Sequence, residues 1–321
     1  MKKVLKIFGK LLLGILITVL IALLVIFLYN RIMLAKEDEL LKNYPGQLVE
    51  VNGHNMNIFT EGGGNHTLVF LSPSQDTSPV LTFRPLYSKL SDEYRIVVAE
   101  KFGYGMSDIV GGERNYEAMV DEIRTALSEA GVNAPYILCP YSKSGLDALI
   151  WAQKYPDEVE GIISIDMAFP GHMEKLEINE EEMRNTSAFM DIARGTGIIR
   201  LFVSDSDFPA EYTKEEKDMG KALVCRKFMN RNLCTGEISA IPAACDLINS
   251  KPKPNIPVHL FLTNGTDGFD KETWQGIAYD YTDEMKNVTS TVLDCGHYEI
   301  IDAEADHMAG DIRVFVGSLG E

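Results

Sequence analysis

A long uncharged apolar stretch near the N-terminus constrains this chain most. No residue between Lys10 and Arg31 is charged, and residues 11–28 read LLLGILITVLIALLVIFL. As an α-helix this run is long enough to cross about 30 Å of hydrocarbon, and only a helix would pair all of its own backbone groups there. We therefore predict a basic stub and transmembrane anchor over residues 1–30, with residues 11–30 contacting the lipid bilayer.

A cleaved signal peptide is the alternative for this segment. It would have a shorter apolar run and a small-x-small cleavage site, whereas here the run is followed by YNRIMLAKEDE. The lysines before the run have no acidic neighbours, while the cations after it are mixed with acids. The positive-inside rule then predicts a single-pass protein of the cell membrane, with its N-terminus cytoplasmic and the remaining chain extracytoplasmic.

Charge and cysteine content argue against three classes of protein. The formal net charge of -17 disfavours a nucleic-acid partner, which needs a basic surface, and favours a small neutral or cationic substrate. The five cysteines are an odd number without a C-x-x-C pair, so neither a disulfide framework nor a zinc knuckle is indicated. A single bridge among Cys225, Cys234 and Cys245 stays open.

Short apolar runs recur along the rest of the chain and indicate strands. From Gln47 the residues alternate around Asn52-Gly53, which predicts a hairpin. Most of the later runs are apolar on both faces, as parallel strands covered by helices are. These runs are residues 67–71, 94–99, 136–139, 161–165, 257–262 and 288–293.

Helical periods alternate with these strands, which makes the predicted class α/β, with a mostly parallel central sheet and helices on both faces. The periods are Met119, Ile123, Leu127 and Ala130, then residues 146–155, and finally Met308, Ile312, Phe315 and Leu319.

The stretch 169–256 breaks the alternation, because it has clustered acids and no strand rhythm. We interpret it as a helical lid, called the cap below; the alternative is a solvated excursion with no role at a site. The predicted organisation is then the anchor (1–30), a linker (31–45), an α/β core (46–168 and 257–321) and the cap.

The strongest local signal is YILCPYSKSG followed by LDALIWAQKYP, which predicts a buried strand, a tight turn of small residues and a helix. A serine at the tip of such a turn, here Ser142, is held in a strained conformation with its hydroxyl exposed, as in a nucleophile elbow. Pro140 and Ser144 stand where G-x-S-x-G has glycines, and Gly145 follows at once. The alternative is an ordinary turn serine that caps the helix.

Two further side chains complete a catalytic set in the chain order that such a fold requires. Asp267 lies in the loop after strand 257–262, although Asp270 is close enough to compete, and His297 opens the loop after strand 288–293. His297 would take the Ser142 proton, and Asp267 would orient the imidazole. The oxyanion would be met by the backbone N–H groups of Lys143 and Ser74.

These segments together resemble the α/β-hydrolase superfamily, in its serine esterase and proline-iminopeptidase-like branch, from about Asn55 to the end. TLVFLSPSQDTSP resembles the oxyanion loop, and RIVVAEKFGYGMSD resembles the D-x-x-G-x-G-x-S segment. YSKSG, NGTDGFD and DCGHYE resemble the triad. Ser72-Pro73 replaces the usual His-Gly, and Glu100 replaces the usual Asp. The serine at the elbow disfavours haloalkane dehalogenase or epoxide hydrolase chemistry.

The leading hypothesis is a serine hydrolase that cleaves a carboxylic ester, as its small-molecule acyl substrate, through an acyl-enzyme on Ser142. The alternative substrates are a thioester and a peptide that would lose its N-terminal residue. No cofactor is implied. The sequence has no H-x-x-x-H pair accompanied by a glutamate, so a metal-dependent hydrolase is disfavoured. The competing class is a catalytically silent hydrolase-like module displayed on the membrane for binding.

Overall fold

The computed structural model describes residues 2–177, 179–266 and 268–319, and in these ranges the chain forms one eight-stranded sheet. The sheet order is β1-β2-β4-β3-β5-β6-β7-β8; β2 is antiparallel to β1 and β4, and the other neighbouring pairs are parallel. The strands are β1 Gln47–Val51, β2 His54–Gly62, β3 Thr67–Leu71, β4 Arg95–Glu100, β5 Tyr136–Pro140, β6 Val159–Ile165, β7 Val258–Leu262 and β8 Val288–Val292.

Helices connect most of the strands. They are α1 Lys2–Leu40, α2 Pro79–Thr82, α3 Arg84–Tyr87, α4 Tyr116–Glu129, α5 Gly145–Lys154, α6 Pro170–Met173, α7 Glu180–Thr196, α8 Lys214–Lys227, α9 Ile241–Asn249, α10 Lys271–Thr282 and α11 Ile300–Ser318. Helices α6 to α9 lie within the cap, between β6 and β7.

The central strands β3 to β7 are buried on both faces, which explains why they are nearly continuous apolar runs, whereas the edge strand β8 is partly exposed. Along β3, Val69 and Leu71 pack with residues of α4 and α5, whereas Leu68 and Phe70 pack with residues of α3 and α11. Successive side chains of a strand point to opposite faces, so one strand supplies two hydrophobic cores. The predicted α/β class with helices on both faces is confirmed.

The hairpin signal also corresponds to the structure. Asn52 and Gly53 form the two-residue loop between β1 and β2, with φ angles of 54° and 78°. Two successive positive φ angles are typical of the type I′ turn, whose twist matches that of the strands.

The N-terminal helix is longer than the predicted anchor. α1 continues to Leu40, so most of the predicted linker 31–45 is helical. By length and composition α1 could cross a membrane, a test that a signal sequence near the N-terminus also passes, and its most apolar window is not buried against the rest of the protein.

All five cysteines are free and buried, so the bridge left open for Cys225, Cys234 and Cys245 is not formed.

A buried charge cluster joins the cap to the core. Glu237, in the cap, pairs with Lys101 at 2.6 Å and with Lys143 at 3.0 Å, and it accepts a hydrogen bond of 2.8 Å from the Tyr104 hydroxyl. Lys101 also pairs with Asp147 of α5 at 2.9 Å. Burial alone would raise the pKa of Glu237, but the two ammonium groups lower it to about 2, so the carboxylate is charged.

We expect Glu237→Ala to destabilise the chain by about 3–5 kcal/mol, because it leaves two buried ammonium groups with too little negative charge. Urea unfolding of the detergent-solubilised full chain measures this. Asp218→Ala is the matched control, since Asp218 pairs with Lys214 and Lys221 on the surface of α8, where the loss should stay below about 1 kcal/mol. Equal losses in the two variants would contradict the role given to this cluster.

Candidate active site

Ser142 occupies the turn between β5 and α5 with a strained backbone. Its φ is 55°, in the left-handed region that residues other than glycine rarely adopt. The Ser142 carbonyl accepts a 2.8 Å hydrogen bond from the Ala168 N–H, in the loop after β6. Strain of this kind persists only where surrounding contacts hold it, and it occurs frequently at functional sites.

The residues that depart from G-x-S-x-G stabilise this turn in their own way. The Ser144 hydroxyl accepts from the Tyr141 N–H at 2.9 Å and lies 2.8 Å from the Leu71 carbonyl at the end of β3, to which it can donate. At Gly145, a Cβ would lie 2.2 Å from the Ala168 carbonyl oxygen. Gly145 therefore allows the close approach of helix and loop that small residues of the motif provide.

His297 lies beside this serine. Its Nε2 is 2.9 Å from Ser142 Oγ, and its Nδ1 is 2.6 Å from the Asp166 carboxylate. Because the carboxylate can only accept, Nδ1 carries the proton and Nε2 is free to accept from the serine hydroxyl. The imidazole is almost completely buried.

Asp166 directly follows β6, is fully buried and is surrounded by donors. Besides His297, its oxygens accept from the Thr263 N–H at 3.0 Å, the Thr263 hydroxyl at 2.6 Å and the Trp274 indole N–H at 2.8 Å. Each of the two buried carboxyl oxygens thus has two hydrogen-bond partners.

The predicted acid, Asp267, lies outside the described residues, and the acid that the structure places on His297 is Asp166. The competing Asp270 is exposed and accepts a hydrogen bond from the Thr273 N–H at the start of α10. The signal for Asp166 was present in the sequence, since this residue follows an apolar run directly in GIISID. β6 and β7 are neighbours in the sheet, so acids after either strand start close to the same imidazole.

A second histidine, His172, stabilises the position of Asp166 indirectly, through Trp274. The His172 Nδ1 accepts from the Phe169 N–H at 3.0 Å, and its Nε2 lies 2.9 Å from the Trp274 carbonyl. Burial lowers the pKa of His172 to about 4, so the ring is neutral and Nε2–H donates. His172 thereby helps to fix Trp274, which in turn donates to Asp166.

The two predicted oxyanion donors lie in this region with their N–H groups uncommitted. Neither the Lys143 nor the Ser74 N–H donates to another group of the described chain. Lys143 follows the nucleophile at the start of the helical segment, and Ser74 lies in the loop after β3.

The substitution of Glu100 for the usual aspartate has a structural role. Its fully buried carboxylate accepts from the Tyr44 hydroxyl at 2.6 Å, the Asn57 amide at 3.0 Å and the Met106 N–H at 2.8 Å. Glu100 thus connects the residues before β1 to the loop after β4, and burial, which outweighs these hydrogen bonds, raises the pKa of its carboxyl group.

A cavity of about 840 Å³ lies between the cap and the core. Ser142 and His297 do not line it, but Tyr141 and Tyr298, their immediate neighbours, do. The core side also contributes Gln75 to Ser78 of the loop after β3. Most of the wall is apolar and comes from the cap, through Phe189, Met190, Ala193, Ile198, Ile199, Phe202, Val203, Phe208, Pro209, Val224 and Phe228.

This sheet order, with a strained serine after β5 and a histidine after β8, is the α/β-hydrolase fold, and the chain has that fold. Among solved structures, an epoxide hydrolase from Bacillus megaterium, in a point-mutant form, aligns with a TM-score of 0.63 and 17% identity, over 84% of this chain and 100% of that one. Wild-type Cfl2 from Burkholderia cenocepacia gives 0.62 and 18%, over 84% and 95%. A thermophilic esterase from Thermogutta terrifontis gives 0.54 and 19%, over 85% and 99%.

No protein-family model matches the chain. Among curated proteins, YbdG of Bacillus subtilis (strain 168), described as uncharacterized, is 34% identical over 214 residues, which are 65% of this chain and 65% of YbdG. The 2-(acetamidomethylene)succinate hydrolase of Mesorhizobium japonicum is 28% identical over 120 residues, which are 37% of this chain and 41% of that enzyme. The matched stretches thus span less than two thirds of these relatives.

One carboxyl group in the cavity wall has an unusual pKa. Asp76 Oδ1 accepts from the Ser78 N–H at 2.9 Å and from the Thr82 hydroxyl at 3.1 Å, while its buried Oδ2 has no partner in the described chain. Burial raises the pKa of Asp76 to about 7.

Asp76→Asn should therefore change how stability depends on pH. Between the unfolded pKa near 4 and the folded pKa near 7, the native state binds more protons, so wild-type stability falls as pH rises. Asn keeps the Oδ1 acceptor without the charge, and its advantage over wild type should grow by at most about 1.4 kcal/mol per pH unit in this window. Urea unfolding at pH 5 and pH 7 measures it; a difference that stays constant would refute the raised pKa.

Proposed function

We propose that the protein is a serine hydrolase in which Ser142 is the nucleophile, His297 the general base and Asp166 the acid that orients the base. The bond cleaved is a carboxylic ester, through an acyl-enzyme. The observation that carries this proposal is the continuous proton path from Ser142 Oγ to His297, at 2.9 Å, and on to Asp166, at 2.6 Å. The path lies at the carboxyl ends of the sheet strands, where this fold supports catalysis.

The first half-reaction forms the acyl-enzyme. Ser142 Oγ attacks the ester carbonyl carbon while its proton moves to His297 Nε2, and the carbonyl electron pair becomes an oxyanion. When the tetrahedral species collapses, the bond to the leaving alcohol breaks, and the alcohol oxygen takes the proton from Nε2. Ser142 now carries the acyl group.

The second half-reaction releases the acid. Water attacks the acyl carbon and gives a proton to His297 Nε2, and collapse of the second tetrahedral species returns that proton to Ser142 Oγ. Asp166 takes up no proton in either half-reaction. It keeps the proton of the neutral imidazole on Nδ1 and stabilises the imidazolium formed in each transition state.

The oxyanion needs fixed donors, and we assign the Lys143 and Ser74 N–H groups to this role. Each donor of this kind typically contributes about 3 kcal/mol to transition-state stabilisation. The Lys143 side chain, paired with Glu237, helps to fix the backbone that presents the first donor.

We also propose that α1 is a permanent anchor, with the N-terminus cytoplasmic and the catalytic part extracytoplasmic. Asn30 is almost fully buried against the cap, where Arg200 Nε donates to its side chain at 2.6 Å and the Arg200 guanidinium pairs with Glu37. Removal of the helix up to Leu28 as a signal sequence would place a charged N-terminus beside this buried contact, at a desolvation cost. The contact therefore favours retention of the helix.

A fluorophosphonate probe tests the nucleophile. Wild type should be labelled covalently because the activated Ser142 hydroxyl attacks phosphorus, and Ser142→Ala should lose the label. Ser128→Ala, which removes an exposed hydroxyl on α4, should label like wild type. Detection is by in-gel fluorescence of the detergent-solubilised full chain. An unlabelled wild type, or equal labelling of Ser142→Ala, would reject the assignment.

A paired substitution identifies the acid. Asp166→Asn should lower kcat for 4-methylumbelliferyl acetate by roughly 10⁴-fold, because the neutral amide favours the wrong imidazole tautomer and leaves the imidazolium uncompensated. Asp267→Asn should remain close to wild type. Thermal unfolding of both variants checks that they fold, and a large loss confined to Asp267→Asn would return the role to that residue.

A further inference from the structure

The cap is fastened to α1 where the apolar run ends. Asn30, two residues or about 3 Å of helix beyond Leu28, donates to the Arg194 and Gly195 carbonyls at 3.3 Å each. At Gly197, the end of α7, a Cβ would lie 2.4 Å from the Asn30 Cβ, so the two backbones pack closely. This end of the cap is therefore at the level where α1 would leave the hydrocarbon.

Polar contacts continue this attachment along the next turns of α1. Arg200 binds the Asn30 side chain and the Glu37 carboxylate together, with bonds of 2.6 and 2.8 Å. Arg226 of α8 donates to the Leu34 carbonyl at 2.7 Å. Two parts of the cap thus hold the same helix, which fixes the height of the cap relative to the apolar run.

The cap exposes large apolar side chains beside this attachment. Phe189, Ile192, Leu201 and Phe202 are between 63% and 78% exposed. Phe189 and Ile192 are three residues apart on α7 and share a face, and Leu201 and Phe202 directly follow Arg200. We call these four residues the apolar patch. The acids at residues 180–182 lie at the opposite end of α7, away from Asn30.

Two of the four residues of the apolar patch also line the cavity. Phe189 and Phe202 are exposed and line the cavity at the same time, and most of the other cap residues in the wall are apolar. On the core side the wall includes Tyr298, 71% exposed and next to His297. An apolar chain lying over the patch would therefore meet the mouth of a cavity whose wall includes Tyr141 and Tyr298, the neighbours of Ser142 and His297.

We propose that the apolar patch lies in the bilayer, at the boundary between head groups and acyl chains, and that the cavity takes its substrate from there: a lipid with an ester-linked acyl chain. The choice of occupant rests on continuity, because the patch adjoins the end of an apolar helix long enough to span. Exposed aromatic and aliphatic side chains favour this boundary. The substrate class rests on the ester hydrolysis proposed above, whereas the position of the patch does not.

Fluorescence quenching tests the position independently of catalysis. Leu201→Trp places a probe in the patch without altering the cavity wall, and Trp151 and Trp274 are buried. In vesicles of phosphatidylcholine and phosphatidylglycerol, the extra emission should be blue-shifted and quenched by doxyl-labelled phosphatidylcholine. Val314→Trp is the control, since Val314 is 75% exposed and lies about 20 Å along α11 from Ile301 of the cavity wall. Quenching of Leu201→Trp no greater than that of the control would overturn the proposal and indicate a protein partner or water at the patch.

Kinetics test the substrate route. The double variant Ile192→Ser and Leu201→Ser should lower kcat/KM for 4-methylumbelliferyl palmitate carried in vesicles by on the order of tenfold, with 4-methylumbelliferyl acetate in solution unchanged. Equal effects on the two esters, or none, would overturn the route. If wild type hydrolyses neither ester, the proposed function fails and the lipid ester with it, whereas the quenching result still decides whether the patch lies in lipid.

Discussion

The hydrogen bond between Asp166 and His297 is the interaction on which the site depends. Burying a carboxylate without partners costs several kcal/mol, so Asp166 persists where it is because Thr263, Trp274 and the imidazole donate to it. Those donors come from the end of β7, from α10 and from the loop after β8. The orientation of the imidazole therefore depends on several elements that meet at this edge of the sheet. Without an oriented imidazole, the position of the Ser142 hydroxyl would matter little.

Much of the fold could be predicted from the sequence, because parallel strands are continuous apolar runs and the hairpin turn carries its own signal. Local patterns predicted the turn at Ser142 and the position of His297, and the structure brings these two side chains together. Local patterns did not single out Asp166 as the acid beside His297, since Asp166 and Asp267 both follow a strand and chain order alone does not separate them. The choice of Asp166 depends on Thr263 and on an indole that approaches through tertiary packing.

The end of α1 could not be predicted for a related reason. Hydropathy indicates where a helix can leave the lipid. The residues that follow Arg31 include several charged ones, so this segment was predicted to be a solvated linker. In the structure they remain helical because their partners are elsewhere in the chain: Arg200 reaches both Asn30 and Glu37, from more than 160 positions away. A polar contact between residues so far apart in the sequence leaves no local pattern from which it could be predicted, whereas the nucleophile elbow has one.

Two buried polar clusters attach the cap to the rest of the protein. At one side of the cap, Glu237 pairs with Lys143, the residue next to the nucleophile; at the other, Arg200 pairs with Glu37 of α1. Charged contacts out of water are costly to break, so the cap is held at both ends, unlike a lid hinged at one. The cap, whose apolar residues form most of the cavity wall, is thus fixed both to α1 and to the residue that follows Ser142.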